Sequence, residues 1–157
     1  MHLAILLLGS NISPEKNIRS ALALLQDCCG VQDVSTTWQT PAVGSPGPDF
    51  LNVAVQVNVE QDADSYKWHV LRPIEENLGR MRSADKNAPR TIDIDIIVWD
   101  GTVQDANLWS RAFVAIPVSE LAPHLIEPVS GKSLRMIARD MRDASGARPR
   151  LDIKIHP

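Results

Sequence analysis

Residues 89–97 read Pro-Arg-Thr-Ile-Asp-Ile-Asp-Ile-Ile, and the alternation of acid with branched apolar residue points to an extended strand. An α-helix would scatter Ile92, Ile94 and Ile96 around its surface. A strand puts them on one face and Asp93 and Asp95 together on the other. Its apolar face must then be covered by another layer of structure. Two carboxylates projecting side by side suit a hard cation such as Mg²⁺. Just upstream, Gly79-Arg80-Met81-Arg82 offers guanidinium forks suited to phosphate, and Arg90 adds a third beside the acids. Acid for metal beside base for phosphate indicates a nucleoside triphosphate site. The competing reading is a half-exposed edge strand with solvated aspartates.

Elsewhere the hydrophobic period switches between two and 3.6. Residues 3–8 form a continuous apolar run, expected for a strand buried on both faces and ending at the Gly9-Ser10-Asn11 turn. Ser13-Pro14-Glu15 is an N-cap, a proline at the first helical position and an early acid. Ile18, Ala21, Leu22 and Leu25 follow at helical spacing, so a helix is expected over 14–26, closed by Gly30. Residues 31–38 have strand composition, and 41–48 form a loop rich in proline and glycine. Val53, Val55, Val57 and Val59 alternate with smaller or polar residues, giving a third strand over 52–59. A helix capped by Asp64 is expected from 65 towards 78, kinked at Pro73. Residues 83–88 form a polar loop, and 92–99 the fourth strand. The order is βαββαβ, an α+β arrangement of the ferredoxin-like type with an antiparallel sheet. Beyond Gly101, short helices are expected at 117–122 and 134–141, with an edge strand through Leu151, Ile153 and Ile155.

At 157 residues the chain is expected to form one domain, 1–157, since a domain of this size buries about 70% of its unfolded surface. The net charge of −3 argues against a general nucleic-acid binder, so the arginines near Arg80 are a local patch for phosphate on a small molecule. The apolar start is too short for a signal segment, and no run is long enough for a membrane span, so no membrane partner and a cytoplasmic location are expected. Cys28 and Cys29 are adjacent, which is not a metal-clamp spacing, and free thiols are expected. His2, His69, His124 and His156 are scattered and form no zinc pattern.

Several segments, in order, carry a resemblance: Leu8-Gly9-Ser10-Asn11, Thr40-Pro41-Ala42-Val43-Gly44, Asp49-Phe50-Leu51-Asn52, Glu75, Gly79-Arg80-Met81-Arg82 and Pro89 to Asp95. Together they resemble the 6-hydroxymethyl-7,8-dihydropterin pyrophosphokinases of folate biosynthesis. The resemblance runs from the first strand to Pro123 and implies the same ferredoxin-like fold with a C-terminal helical extension. It implies transfer of the β,γ-diphosphate of ATP to the hydroxymethyl group of the pterin, with release of AMP. Asp93 and Asp95 would hold two Mg²⁺ ions, and Arg80, Arg82 and Arg90 would join them as catalytic residues. Glu75, Arg82, Lys86, Arg90, Ile96 and Arg111 would serve the nucleotide. Thr40, Pro41, Val43, Phe50, Asn52, Asp93 and Phe113 would hold the pterin. A monomer is expected, with a weak dimer as the alternative.

Two departures from the family pattern stand out. Residues 102–110 are abbreviated and contain neither histidine nor proline, so part of the adenosine-side contact must be absent or replaced; Trp109 could stack on adenine or simply pack over the sheet. Lys86-Asn87-Ala88 stands where many members have arginine, tryptophan and glycine, keeping a charge but not a fork. Besides an active enzyme, the sequence admits a relative that binds without turnover. A ferredoxin-like RNA-binding module is disfavoured, because the strands carry almost no aromatic residues apart from Trp38 and Trp99.

Overall fold

Strand β1 (His2–Ser10) is buried at every position from 4 to 10, because it is paired on both edges and covered on both faces. The computed structural model describes residues 1–44 and 46–155. After β1 come α1 (Pro14–Cys28), β2 (Gly30–Val34), β3 (Trp38–Thr40) and β4 (Phe50–Val59). A short α2 (Ala63–Tyr66), a π-helical turn (Lys67–Leu71) and α3 (Arg72–Asn77) lead to β5 (Asp93–Trp99) and β6 (Thr102–Val103). A 3₁₀ turn (Ala106–Trp109), α4 (Ala112–Leu121), α5 (Leu134–Ser145) and β7 (Arg148–Pro149) complete the described chain.

The sheet runs β6-β5-β1-β4-β3-β7, with β2 also on β4, and its paired strands are antiparallel. This is the expected ferredoxin-like βαββαβ core. Alternation along β1 sends Leu6 and Leu8 to one face, where they pack with Ile18 and Leu25 of α1, Ile74 of α3 and Ile94 of β5. Ile5 and Leu7 go to the other, against Val114 and Val118 of α4 and Leu134 of α5. The C-terminal helices therefore cover the face that the core helices leave open.

Several boundaries differ from expectation. The strand expected over 31–38 is two strands, β2 and β3, broken where the Ser35 hydroxyl accepts the Ala54 N–H at 2.9 Å in place of a backbone carbonyl. Gly30 opens β2 rather than closing α1, which runs on to Cys28. Ser13 makes no side-chain cap; it sits at φ 42°, and Asn17 Nδ2 instead donates to Ile12 O at 2.6 Å. The second helix is capped by Asp62, which accepts from Ser65 N at 2.9 Å, rather than by Asp64. The kink expected at Pro73 is absorbed as the π turn, with Arg72 N bonded to Lys67 O. Asp100 (φ 48°) and Gly101 (φ 79°) make a tight hairpin into β6 that the sequence reading missed, although Asp-Gly is its usual signal. Helix α4 begins at Ala112, ahead of the expected 117, and carries Pro117 inside it.

The expected edge strand through Leu151, Ile153 and Ile155 does not form; β7 is Arg148–Pro149, paired with Trp38 and Gln39. Burial of Ile153 in the first cluster overrides the period-two pattern. Cys28 and Cys29 are free thiols, as expected, and His156 lies outside the described residues. No helix among the described residues is long and apolar enough to cross a membrane.

Candidate active site

Strand register assembles the site. Gly9 on β1 stands opposite Asn52 on β4 and Asp93 on β5, and Leu7 stands opposite Ala54 and Asp95. Two rows across three strands therefore carry the polar residues on the α4 side of the sheet. Above them opens a cavity of about 430 Å³. Thr40, Pro41, Val43, Phe50 and Asn52 line one side and Phe113 and Val114 of α4 another, while Lys86, Asn87 and Arg90 reach in from the segment before β5. The apolar walls leave a few fixed polar groups. Asn52 Nδ2 donates to Thr40 Oγ1 at 2.7 Å, and both residues are buried. A Cβ on Gly9 would lie 3.1 Å from Asn52 Oδ1, so the absent side chain gives the amide its room.

A second hollow of about 290 Å³ adjoins it, lined by Arg72, Arg80, Arg82, Lys86 and Arg90 among others. Lys86, Arg90, Asp93 and Asp95 line both hollows. Beneath the cations lies Glu75, 1% exposed, which accepts from Arg72 Nη1 at 2.9 Å, Arg80 Nη1 at 2.6 Å, Arg82 Nη2 at 2.9 Å and Ile94 N at 3.0 Å. Arg80 also bonds Asp93, and Arg90 Nη1 donates to the other Asp93 oxygen at 3.0 Å. Arg90 further lies 6.0 Å from the Phe50 ring centroid.

The two aspartates differ in electrostatic state. Burial pushes the Asp93 carboxyl up, but Arg80 and Arg90 reverse this and hold it below the usual range. Asp95 bonds to no cation among the described residues. Burial first, then the charges of Asp93, Glu75 and Asp105, push it up to about 7. An unneutralised carboxylate beside another, with oxygen as the only donor type, fits a hard divalent cation. No group of three or more His, Cys, Asp or Glu converges as a metal cage among the described residues. Mg²⁺ characteristically needs none, since it binds through one or two carboxylates plus substrate phosphates and water.

Of the residues expected at the site, Thr40, Pro41, Val43, Phe50, Asn52, Lys86, Arg90, Asp93, Asp95, Arg111 and Phe113 line the first cavity, and Arg80 and Arg82 the second. Ile96 does not join them, because its side chain packs into the cluster under α1 and α3. Glu75 lines neither hollow; its oxygens are taken up by the arginines and Ile94. Trp109 packs against the cluster under α4 and lines neither hollow. Sequence reading missed Arg72, Asp105 and Asn107, which carry no motif, and took Gly9 for a turn although it belongs to β1 and floors the cavity. Only the cross-strand register reveals that glycine's role.

Residues 5–123 match the family 7,8-dihydro-6-hydroxymethylpterin-pyrophosphokinase (HPPK). The chain is 33% identical over 144 residues to the 2-amino-4-hydroxy-6-hydroxymethyldihydropteridine pyrophosphokinase of Synechocystis, covering 85% of this chain and 73% of that protein. It is 35% identical over 140 residues to the protein of the same name from Methylorubrum extorquens, covering 82% and 86%.

The chain belongs to this family.

Its fold is that of the HPPK-DHPS of Plasmodium falciparum solved with pterin and p-hydroxybenzoate, with a TM-score of 0.71 at 13% identity. That likeness covers 89% of this chain and 43% of the longer Plasmodium chain. The family match ends at residue 123, so α5 and β7 lie outside it.

Proposed function

We propose that the larger cavity holds the pterin, that the cationic hollow holds the triphosphate of ATP, and that Asp93 and Asp95 serve the metal at their junction. As a member of the HPPK family the protein is an ATP-dependent pyrophosphokinase of folate biosynthesis, transferring the β,γ-diphosphate to the hydroxymethyl group of 6-hydroxymethyl-7,8-dihydropterin. The observation that supports the assignment of sites most strongly is the sharing of Lys86, Arg90, Asp93 and Asp95 by the two hollows. A group transferred between two substrates must pass where their sites meet.

In this reading, Asn52 presents its Oδ1 to a pterin donor while Thr40 fixes the amide, and Phe113 supplies a stacking face. Lys86 and Arg90 neutralise phosphate charge at the junction, and Arg82 reaches phosphate from the cationic hollow. Arg80, bonded to Glu75 and Asp93, holds the Asp93 carboxylate in place. Arg111 lines the larger cavity and would reach the nucleotide from there. Mg²⁺, two ions in this reading, would be held by Asp93 and Asp95 and would neutralise phosphate oxygens and favour in-line attack on the β-phosphorus. The same reading takes residues 1–157 as one domain acting as a cytoplasmic monomer.

The test is AMP formation from ATP, Mg²⁺ and 6-hydroxymethyl-7,8-dihydropterin, run beside Asp95→Ala. Pterin-dependent AMP that disappears in the variant is the expected result. Full activity in Asp95→Ala would overturn the assignment of the metal site.

A further inference from the structure

We propose that Arg72 is a positioning residue that allows Arg82 to leave Glu75 and engage the triphosphate. The starting point is that one buried carboxylate serves three guanidinium groups. Glu75 Oε2 is committed to Arg80 at 2.6 Å and to Ile94 N at 3.0 Å. Glu75 Oε1 is shared, with Arg72 Nη1 and Arg82 Nη2 both at 2.9 Å.

The three arginines differ in what they can release. Arg80 has a side chain 12% exposed and bonds Asp93 and Ile92 O as well, so it is fixed. Arg72 belongs to α3, is 19% exposed, and has its guanidinium over the Trp68 ring, 5.5 Å from the centroid. Arg82 is 51% exposed, holds Glu75 through a single bond, and lies in the irregular segment between α3 and β5. Arg82 is therefore the one arginine free to turn into the hollow.

Its departure costs little only if Oε1 stays paired. A carboxylate oxygen stripped of its last partner at 1% exposure carries the penalty of a buried, unmatched charge. With Arg72 in place, Oε1 keeps one guanidinium after Arg82 leaves, and what is lost is only a half-exposed ion pair. Without Arg72, Arg82 becomes the sole partner of Oε1 and is held there. Arg72 also buries its Nε–H with no acceptor among the described residues, so Glu75 is the hydrogen-bond partner its guanidinium has there.

This inference rests on the cationic hollow being the triphosphate site, and the test separates the two. The Kd of α,β-methylene-ATP with Mg²⁺ would be measured for the wild type, Arg72→Met, Arg82→Ala and the double variant. Pterin affinity and thermal midpoint would be recorded for each. Each single change is expected to weaken the nucleotide about tenfold, in the range of one charged hydrogen bond. The double variant is expected to bind no more weakly than the weaker single, since Arg82 cannot be lost twice. Pterin affinity stays unchanged, and Arg72→Lys, which keeps a charge, restores part of the loss. If Arg72→Met does not fold, the same cycle run with Arg72→Lys is expected to show a smaller, equally non-additive loss. Losses that multiply, or wild-type affinity in the Arg72 variants, would overturn the positioning role while leaving the nucleotide site intact. Failure of the folded wild type to bind the analogue would overturn the site assignment and this inference with it.

Discussion

Asn52 Nδ2 donates to Thr40 Oγ1 over 2.7 Å, joining β4 to β3 at the base of the larger cavity. The bond sets which end of the amide faces outward. Thr40→Val removes the acceptor and leaves a buried N–H unpaired, so it should cost about 1–3 kcal/mol of stability and weaken pterin binding. Urea unfolding and calorimetric titration with the pterin report the two effects separately. Unaltered pterin affinity in Thr40→Val would count against the orienting role.

Gly9→Ala places a methyl 3.1 Å from Asn52 Oδ1, tighter than ordinary contact, and the amide must give way. Pterin affinity is expected to fall about tenfold, equivalent to 1.4 kcal/mol, while nucleotide affinity holds. Equal losses for both ligands would indicate general distortion of the sheet instead.

Asp95 makes the apo protein sensitive to pH. Its carboxyl is raised in the fold from 3.8 to about 7, so its contribution to stability is complete below about 3.8 and is lost as pH rises through 7. Asp93 is shifted the other way, and its contribution is lost only as pH falls below the ordinary carboxylate range. Asp95→Asn, which cannot ionise, should therefore be more stable than wild type at pH 8 without metal. The gain is expected to be about 1 kcal/mol, reduced from the full shift because Asp95, although desolvated by the protein packed around it, keeps part of its side chain at the solvent-facing mouth of the site, where water screens its charge. Thermal unfolding at pH 5 and pH 8 in the presence of a chelator checks it; a variant less stable at pH 8 would refute the account.

The arginines should separate by burial. Arg80→Ala strips Glu75 and Asp93 of a shared, mostly buried partner and should destabilise the fold by about 2–4 kcal/mol. Arg82→Ala removes a half-exposed side chain and should stay within about 0.5 kcal/mol while lowering nucleotide affinity. Chemical denaturation of both variants decides the matter, and a large stability loss in Arg82→Ala would contradict the exchange proposed for it.

Alternation of Ile with Asp over 92–96, the apolar run over 3–8 and the valines of β4 were enough to determine the strands, because side-chain period and β-branching act locally. The same alternation puts Asp93 and Asp95 on one face whatever the rest of the fold. What lay beyond local rules was decided by register and burial. Pairing across β4, β1 and β5 brings Asn52, Gly9 and Asp93 into one row, although the first and last of these are separated by a loop, three helical segments and a further loop. No periodicity in the sequence encodes that juxtaposition. Nor could spacing show that Glu75 is the buried acceptor for Arg72, Arg80 and Arg82, or that Ile96 turns away from the cavity that Asp95 faces. A residue's neighbours across the sheet depend on which strands pair and where the chain returns, and only the tertiary structure specifies those contacts.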